Sequence, residues 1–77
     1  MRFEEMLREK QAELEMSTNQ FAKHIGLHRT WLTDMWNPRK PRRPLRDRTM
    51  YLLHNRLDIP YEVMEEYNIF VLNERNK

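Results

Sequence analysis

The chain has 77 residues, about a third of them charged, and suits one small domain with a modest core rather than a two-domain enzyme. With no cysteine, a disulfide framework and a cysteine-based zinc site are excluded. No apolar run exceeds four residues, so neither a membrane span nor a signal peptide is predicted, and a cytoplasmic protein is expected.

Phe3, Met6, Leu7, Lys10 and Leu14 recur at helical spacing, which predicts a first helix over about 2–15. Glu4 and Glu5 fall in its first turn, where the helix dipole favours negative charge. Ser17 followed three residues later by Gln20 reads as a capping box and opens a second helix over about 18–25. Gly26 interrupts it, and a third helix runs over about 28–36. Pro38, Pro41 and Pro44 forbid a continuous helix beyond that point, so 38–44 is a loop displaying Arg39, Lys40, Arg42 and Arg43. A fourth helix starts at Leu45 and buries Leu45, Thr49, Leu52, Leu53 and Leu57. Pro60 suits the first turn of a fifth, which carries Val63, Met64 and Tyr67. Asn68 can end that helix in a left-handed conformation. The tail 68–77 then holds the run Ile69, Phe70, Val71 and Leu72, which has strand character. Three placements are open to this run: completing the monomer core, pairing with its copy in a second subunit, or extending the fifth helix. The predicted fold is all-α, a compact five-helix domain with a short apolar C-terminal tail.

Gly26 is the only glycine in the chain. A helix that stops and restarts at roughly a right angle within a few residues favours a left-handed residue at the junction, and glycine takes that conformation without steric cost. Phe21, Ala22 and Ile25 before the turn, Leu27 within it, and Leu32 and Met35 after it fall where two crossed helices meet. Ala22 is small enough to let the second helix approach closely. This spacing of small residue, glycine four later and apolar residues one, six and nine beyond the glycine predicts a helix-turn-helix over 17–37. It resembles that of the lambda repressor and Cro family of phage and bacterial regulators, and the resemblance extends over most of the chain. It implies a sequence-specific DNA-binding regulator, most simply an occluding Cro-like repressor, with double-stranded operator DNA as partner. By the family pattern the first turns of the third helix face base edges in the major groove, here at His28, Arg29, Thr30 and Thr33.

Charge is distributed as such a protein requires. The formal net charge is only +2, but residues 28–48 carry seven basic and two acidic side chains while both flanks are net acidic. Arg29 can bind guanine O6 and N7 together. Thr30 and Thr33 offer a hydroxyl or a methyl, and His28 either touches DNA or caps the third helix. Thr18 and Asn19, at a helix N-terminus, together with Asn37, Arg39, Lys40, Arg42 and Arg43, are the predicted phosphate contacts. Four such cations per subunit of a dimer give a log-affinity against log-salt slope near −7, from about −0.9 per contact. Asp34 either accepts from cytosine N4 or pairs with a neighbouring arginine, Trp31 is open to DNA or a protein partner, and Trp36 is expected to pack against the loop. A homodimer on DNA has its own motive, because one short domain reads few base pairs. Ile69, Phe70, Val71 and Leu72 are the candidate dimer contacts.

Catalysis is not expected. His24 and His28 are four apart, but Gly26 breaks the helix that would align them, so neither a metal nor another cofactor is predicted. His54 stands alone, and a single glycine excludes a glycine-rich phosphate loop. The alternative is a protein-interaction module of antiactivator or antitoxin type, motivated by the acidic outer helices, Trp31 and the apolar tail.

Overall fold

A computed structural model describes residues 2–75. Five helices account for its regular structure: α1 (Arg2–Leu14), α2 (Thr18–Ile25), α3 (Arg29–Trp36), α4 (Asp47–Leu57) and α5 (Tyr61–Arg75). Residues 76 and 77 of the predicted tail lie outside the described residues.

Each helix terminus has a local cause. At the start of α2 the Ser17 side chain accepts from the Gln20 amide at 3.2 Å, while the Gln20 carboxamide accepts from the Ser17 amide at 2.9 Å, so the capping box is complete. Gly26 ends α2 at φ 93°, and its amide and that of Leu27 both donate to the Ala22 carbonyl at 2.9 Å. Glu15 and Asp58 take the same left-handed conformation after α1 and α4, at φ 54° and 57°. Pro60 sits at the cap of α5 rather than inside its first turn: its carbonyl accepts from Val63 and Met64, at 3.1 and 3.4 Å.

A Cβ at Gly26 would meet only the Leu52 methyls, at 3.8 and 3.9 Å, which is ordinary contact. Gly26→Ala therefore costs what the left-handed backbone imposes on an L-residue, about 1–2 kcal/mol. Urea unfolding is expected to show a lower midpoint at unchanged m-value, and an unshifted midpoint would remove the strain from the account.

Burial of one face of every helix builds the core. Phe3 and Leu7 come from α1, Phe21, Ala22 and Ile25 from α2, Leu32 from α3, Met50, Leu53 and Leu57 from α4, and Val63, Met64, Tyr67 and Val71 from α5. Leu45 and Ile59 seal it from the connecting segments. α3 packs on α2, α1 on α5, and α4 against both α2 and α5. Leu14 ends outside this core, 41% exposed, because α1 stops there.

The fourth and fifth helices differ from expectation. α4 begins at Asp47, two residues late, so Leu45 is buried from the loop. Met50 occupies the core, whereas Thr49 and Leu52 are half-buried at its edge. Asn68 does not end α5. Its carboxamide pairs with the Leu45 backbone, accepting from the amide at 2.6 Å and donating to the carbonyl at 3.1 Å. The asparagine thus supplies the chain entering α4 with the partners a strand would give, and α5 continues as a helix to Arg75. Of the three placements open to the apolar run, helix extension is the one adopted. Within it only Val71 is buried, and Ile69, Phe70 and Leu72 remain 62, 42 and 49% exposed.

Candidate nucleic-acid interface

The residues from Ser17 to Asn37 form two helices joined by Gly26, Leu27 and His28. Leu32 is fully buried on α3, with Met35 and Trp36 packed partly against the same core. Helical geometry then turns Thr30 and Thr33 away from the core, continued one turn on by Asn37, and puts Arg29 at the edge of that face, one turn before Leu32; all four are exposed.

His28 caps α3: its Nδ1 accepts from the Thr30 amide at 3.1 Å. Nε2 is therefore the ring nitrogen available for an outside contact. Thr33 donates its hydroxyl to the Thr30 carbonyl at 3.1 Å, so it presents its methyl and an oxygen lone pair outward. Asn37 bends the chain away from α3, its Oδ1 accepting from the Arg39 amide at 3.0 Å. At the N-terminus of α2 the capping box occupies the Gln20 amide. The amides of the half-buried Thr18 and the exposed Asn19, the first two of the helix, have no partner within it.

The four loop cations are not equivalent. Arg39, Lys40 and Arg43 are exposed. Arg42 instead forms a forked pair with Glu4 of α1, Nε donating to Oε1 and Nη2 to Oε2 at 3.3 Å. Its guanidinium ties the loop to the first turn of α1 and is already paired with a carboxylate. The expected dipole role of Glu4 is thus joined by a tertiary one, between residues too far apart in sequence for spacing to reveal.

Two further placements correct the sequence reading. Trp36 packs against the core with the Arg8 guanidinium 4.5 Å above its ring, so α1 rather than the loop covers it. Asp34 makes no ion pair among the described residues; its carbonyl accepts from the Asn37 amide at 3.2 Å. Asp34 and Trp31 both border a cavity between α3, the loop and the start of α4, on the flank of α3 away from Thr33. His54 is held by the Ile59 carbonyl at 3.0 Å from Nδ1 and lies 4.4 Å from the Tyr61 ring, as a structural histidine would.

Among the described residues no helix is long and apolar enough to cross a membrane. Compared with protein families, curated proteins and solved structures, the chain matches none. Geometry and charge therefore carry the functional assignment.

Proposed function

We propose that this protein is a sequence-specific DNA-binding transcriptional regulator of the lambda repressor and Cro type that lays α3 in the major groove. The observation that carries this is the left-handed Gly26 turn, which leaves Arg29, Thr30 and Thr33 on an exposed face of a helix anchored by Leu32. The loop that follows α3 adds the exposed Arg39, Lys40 and Arg43, which would supply the sequence-independent attraction to phosphate. By the same resemblance, occlusion of the operator is the simplest mode of regulation, hence a repressor.

Selection from a random duplex pool with the purified protein tests this directly. An enriched motif with two-fold symmetry and half-sites about one helical turn apart is expected. Failure to enrich any motif at low salt would reject sequence-specific binding. Arg29→Ala is expected to relax preference at one guanine-bearing position by about 1–3 kcal/mol while leaving non-specific binding nearly intact. Equal loss on every sequence would make Arg29 a phosphate contact.

Ile69, Phe70 and Leu72, exposed on α5, favour a second copy of the chain or another protein as a further partner. Homodimerisation fits the DNA reading, since an isologous contact positions two copies of α3 on a symmetric site. Sedimentation is expected to give a dimer for the wild type on DNA and a monomer for Ile69→Lys, whose core is untouched. A monomer in both would instead favour a protein-interaction module, the alternative function for this face.

A further inference from the structure

The flank of α3 opens on a cavity of about 350 Å³, within the low end of the range of about 300–1,000 Å³ in which small-molecule sites fall. Trp31 and Met35 give it an apolar wall. Lys40, Arg43 and Arg46 surround it with cations that make no ion pair among the described residues. The one acidic side chain on its lining is Asp34, so the local balance is positive.

We propose that this cavity is a binding site for a small aromatic carboxylate, its ring against Trp31 and Met35 and its charge between Arg43 and Arg46. Two physical features select that chemistry. A flat apolar body is needed to displace water from an indole wall, and arginine forks match a planar carboxylate in a bidentate manner. A DNA phosphate would satisfy the cations but leave the wall uncovered. The floor is preformed: the Tyr67 hydroxyl donates to the Arg43 carbonyl at 3.1 Å, which fixes the backbone from which the Arg43 side chain springs. A guanidinium on such a fixed base loses less freedom on binding.

Resting on the DNA reading, a second consequence follows. Arg43 would serve both phosphate and ligand, so occupancy opposes DNA binding, and DNA expels the ligand by the same factor.

The two tryptophans make the test residue-specific. Trp31 borders the cavity, whereas Trp36 lies under Arg8. Titration of the isotope-labelled protein with 2-naphthoate, without DNA, is expected to move the Trp31 indole N–H resonance saturably while that of Trp36 stays in place. 2-Naphthamide, the same shape without charge, should bind roughly tenfold more weakly, as should 2-naphthoate to the variant combining Arg43→Gln and Arg46→Gln. Both arginines are exposed and the Arg43 carbonyl is retained, so the fold survives the change. No saturable movement of Trp31, equal movement of both indoles, or equal binding of the amide would overturn the site. Displacement of 2-naphthoate by millimolar inorganic phosphate at constant ionic strength would assign the cations to the DNA backbone and overturn it as well. Because this arm contains no DNA, its result is independent of the DNA reading. In a parallel arm, saturating 2-naphthoate is expected to weaken binding to a selected duplex by about tenfold; an unchanged affinity would overturn the antagonism.

Discussion

Tyr67→Ala is expected to leave the domain marginally stable, with a substantial unfolded fraction under conditions in which the wild type is folded. Tyr67 has no exposed surface, and its ring centroid lies 4.9 Å from that of Phe3. Its hydroxyl reaches the Arg43 carbonyl at 3.1 Å and the Met35 sulfur at 3.7 Å. One side chain of α5 thereby joins α1, α3 and the proline loop. Truncation of a buried aromatic costs about 3–5 kcal/mol, against a total stability that for a small domain sits near the low end of about 5–15 kcal/mol. Circular dichroism with urea unfolding measures the loss; a change under about 1 kcal/mol would deny Tyr67 this central place. Tyr67→Phe separates ring from hydroxyl: packing on Phe3 survives and about 1 kcal/mol is lost with the hydrogen bond. Burial, with a smaller contribution from Glu4 and against the opposing effect of Arg42, pushes the phenol from 10.0 up to about 12. The folded state thus holds the proton more tightly than the unfolded one. Stability from this group is complete below about pH 10 and declines as pH rises toward about 12. That alkaline decline should be weaker in Tyr67→Phe.

What the sequence disclosed depended on whether the responsible signal was local. Ser17 and Gln20 lie three residues apart, and Gly26 needs only its own backbone, so the boundaries of α2 and α3 were legible. The all-α fold with five helices followed from spacing of the same kind. Glu15 is left-handed without the residue type that announces it, and Asp58 is of a type that only sometimes takes that conformation, so neither turn was read. Asn68 shows the opposite failure. It is a residue suited to ending a helix, yet tertiary demand claimed its carboxamide for the Leu45 backbone and let α5 run on. The same distance effect hid the Glu4–Arg42 pair, and with it the inequality of the loop cations. The cavity beside Trp31 was equally invisible, because its walls come from α3, the loop, α4 and Tyr67 together. The exposed face of α3, in contrast, needed only the position of Leu32.

Loss of the remaining loop cations is expected to change DNA binding more than any single base contact. In Arg39→Gln, Lys40→Gln, Arg43→Gln, three charges per subunit disappear, while the exposed positions and the backbone contact of Arg43 with Tyr67 leave the core undisturbed. In the proposed dimer six such charges face DNA, and release of their counterions would contribute a log–log salt slope of about −5. Between about 50 and 200 mM salt, that slope alone weakens the wild type by roughly 10³. The variant should bind weakly already at low salt and then respond little to added salt, with its sequence preference retained. Arg42 is excluded from the set because Glu4 already neutralises it, so Arg42→Gln alone should alter the slope far less than Arg43→Gln. Filter binding on one selected duplex and one scrambled duplex across a salt series separates the contributions. A wild-type slope near zero would remove phosphate from the account of the loop, and an equal effect of Arg42→Gln and Arg43→Gln would mean that DNA breaks the pair with Glu4. Arg29 provides the contrast: its loss changes the ratio between the two duplexes, whereas loss of the loop cations lowers both affinities together. On the proposed reading, charge on the loop would set how tightly the protein holds DNA, and the face of α3 would set which DNA it holds.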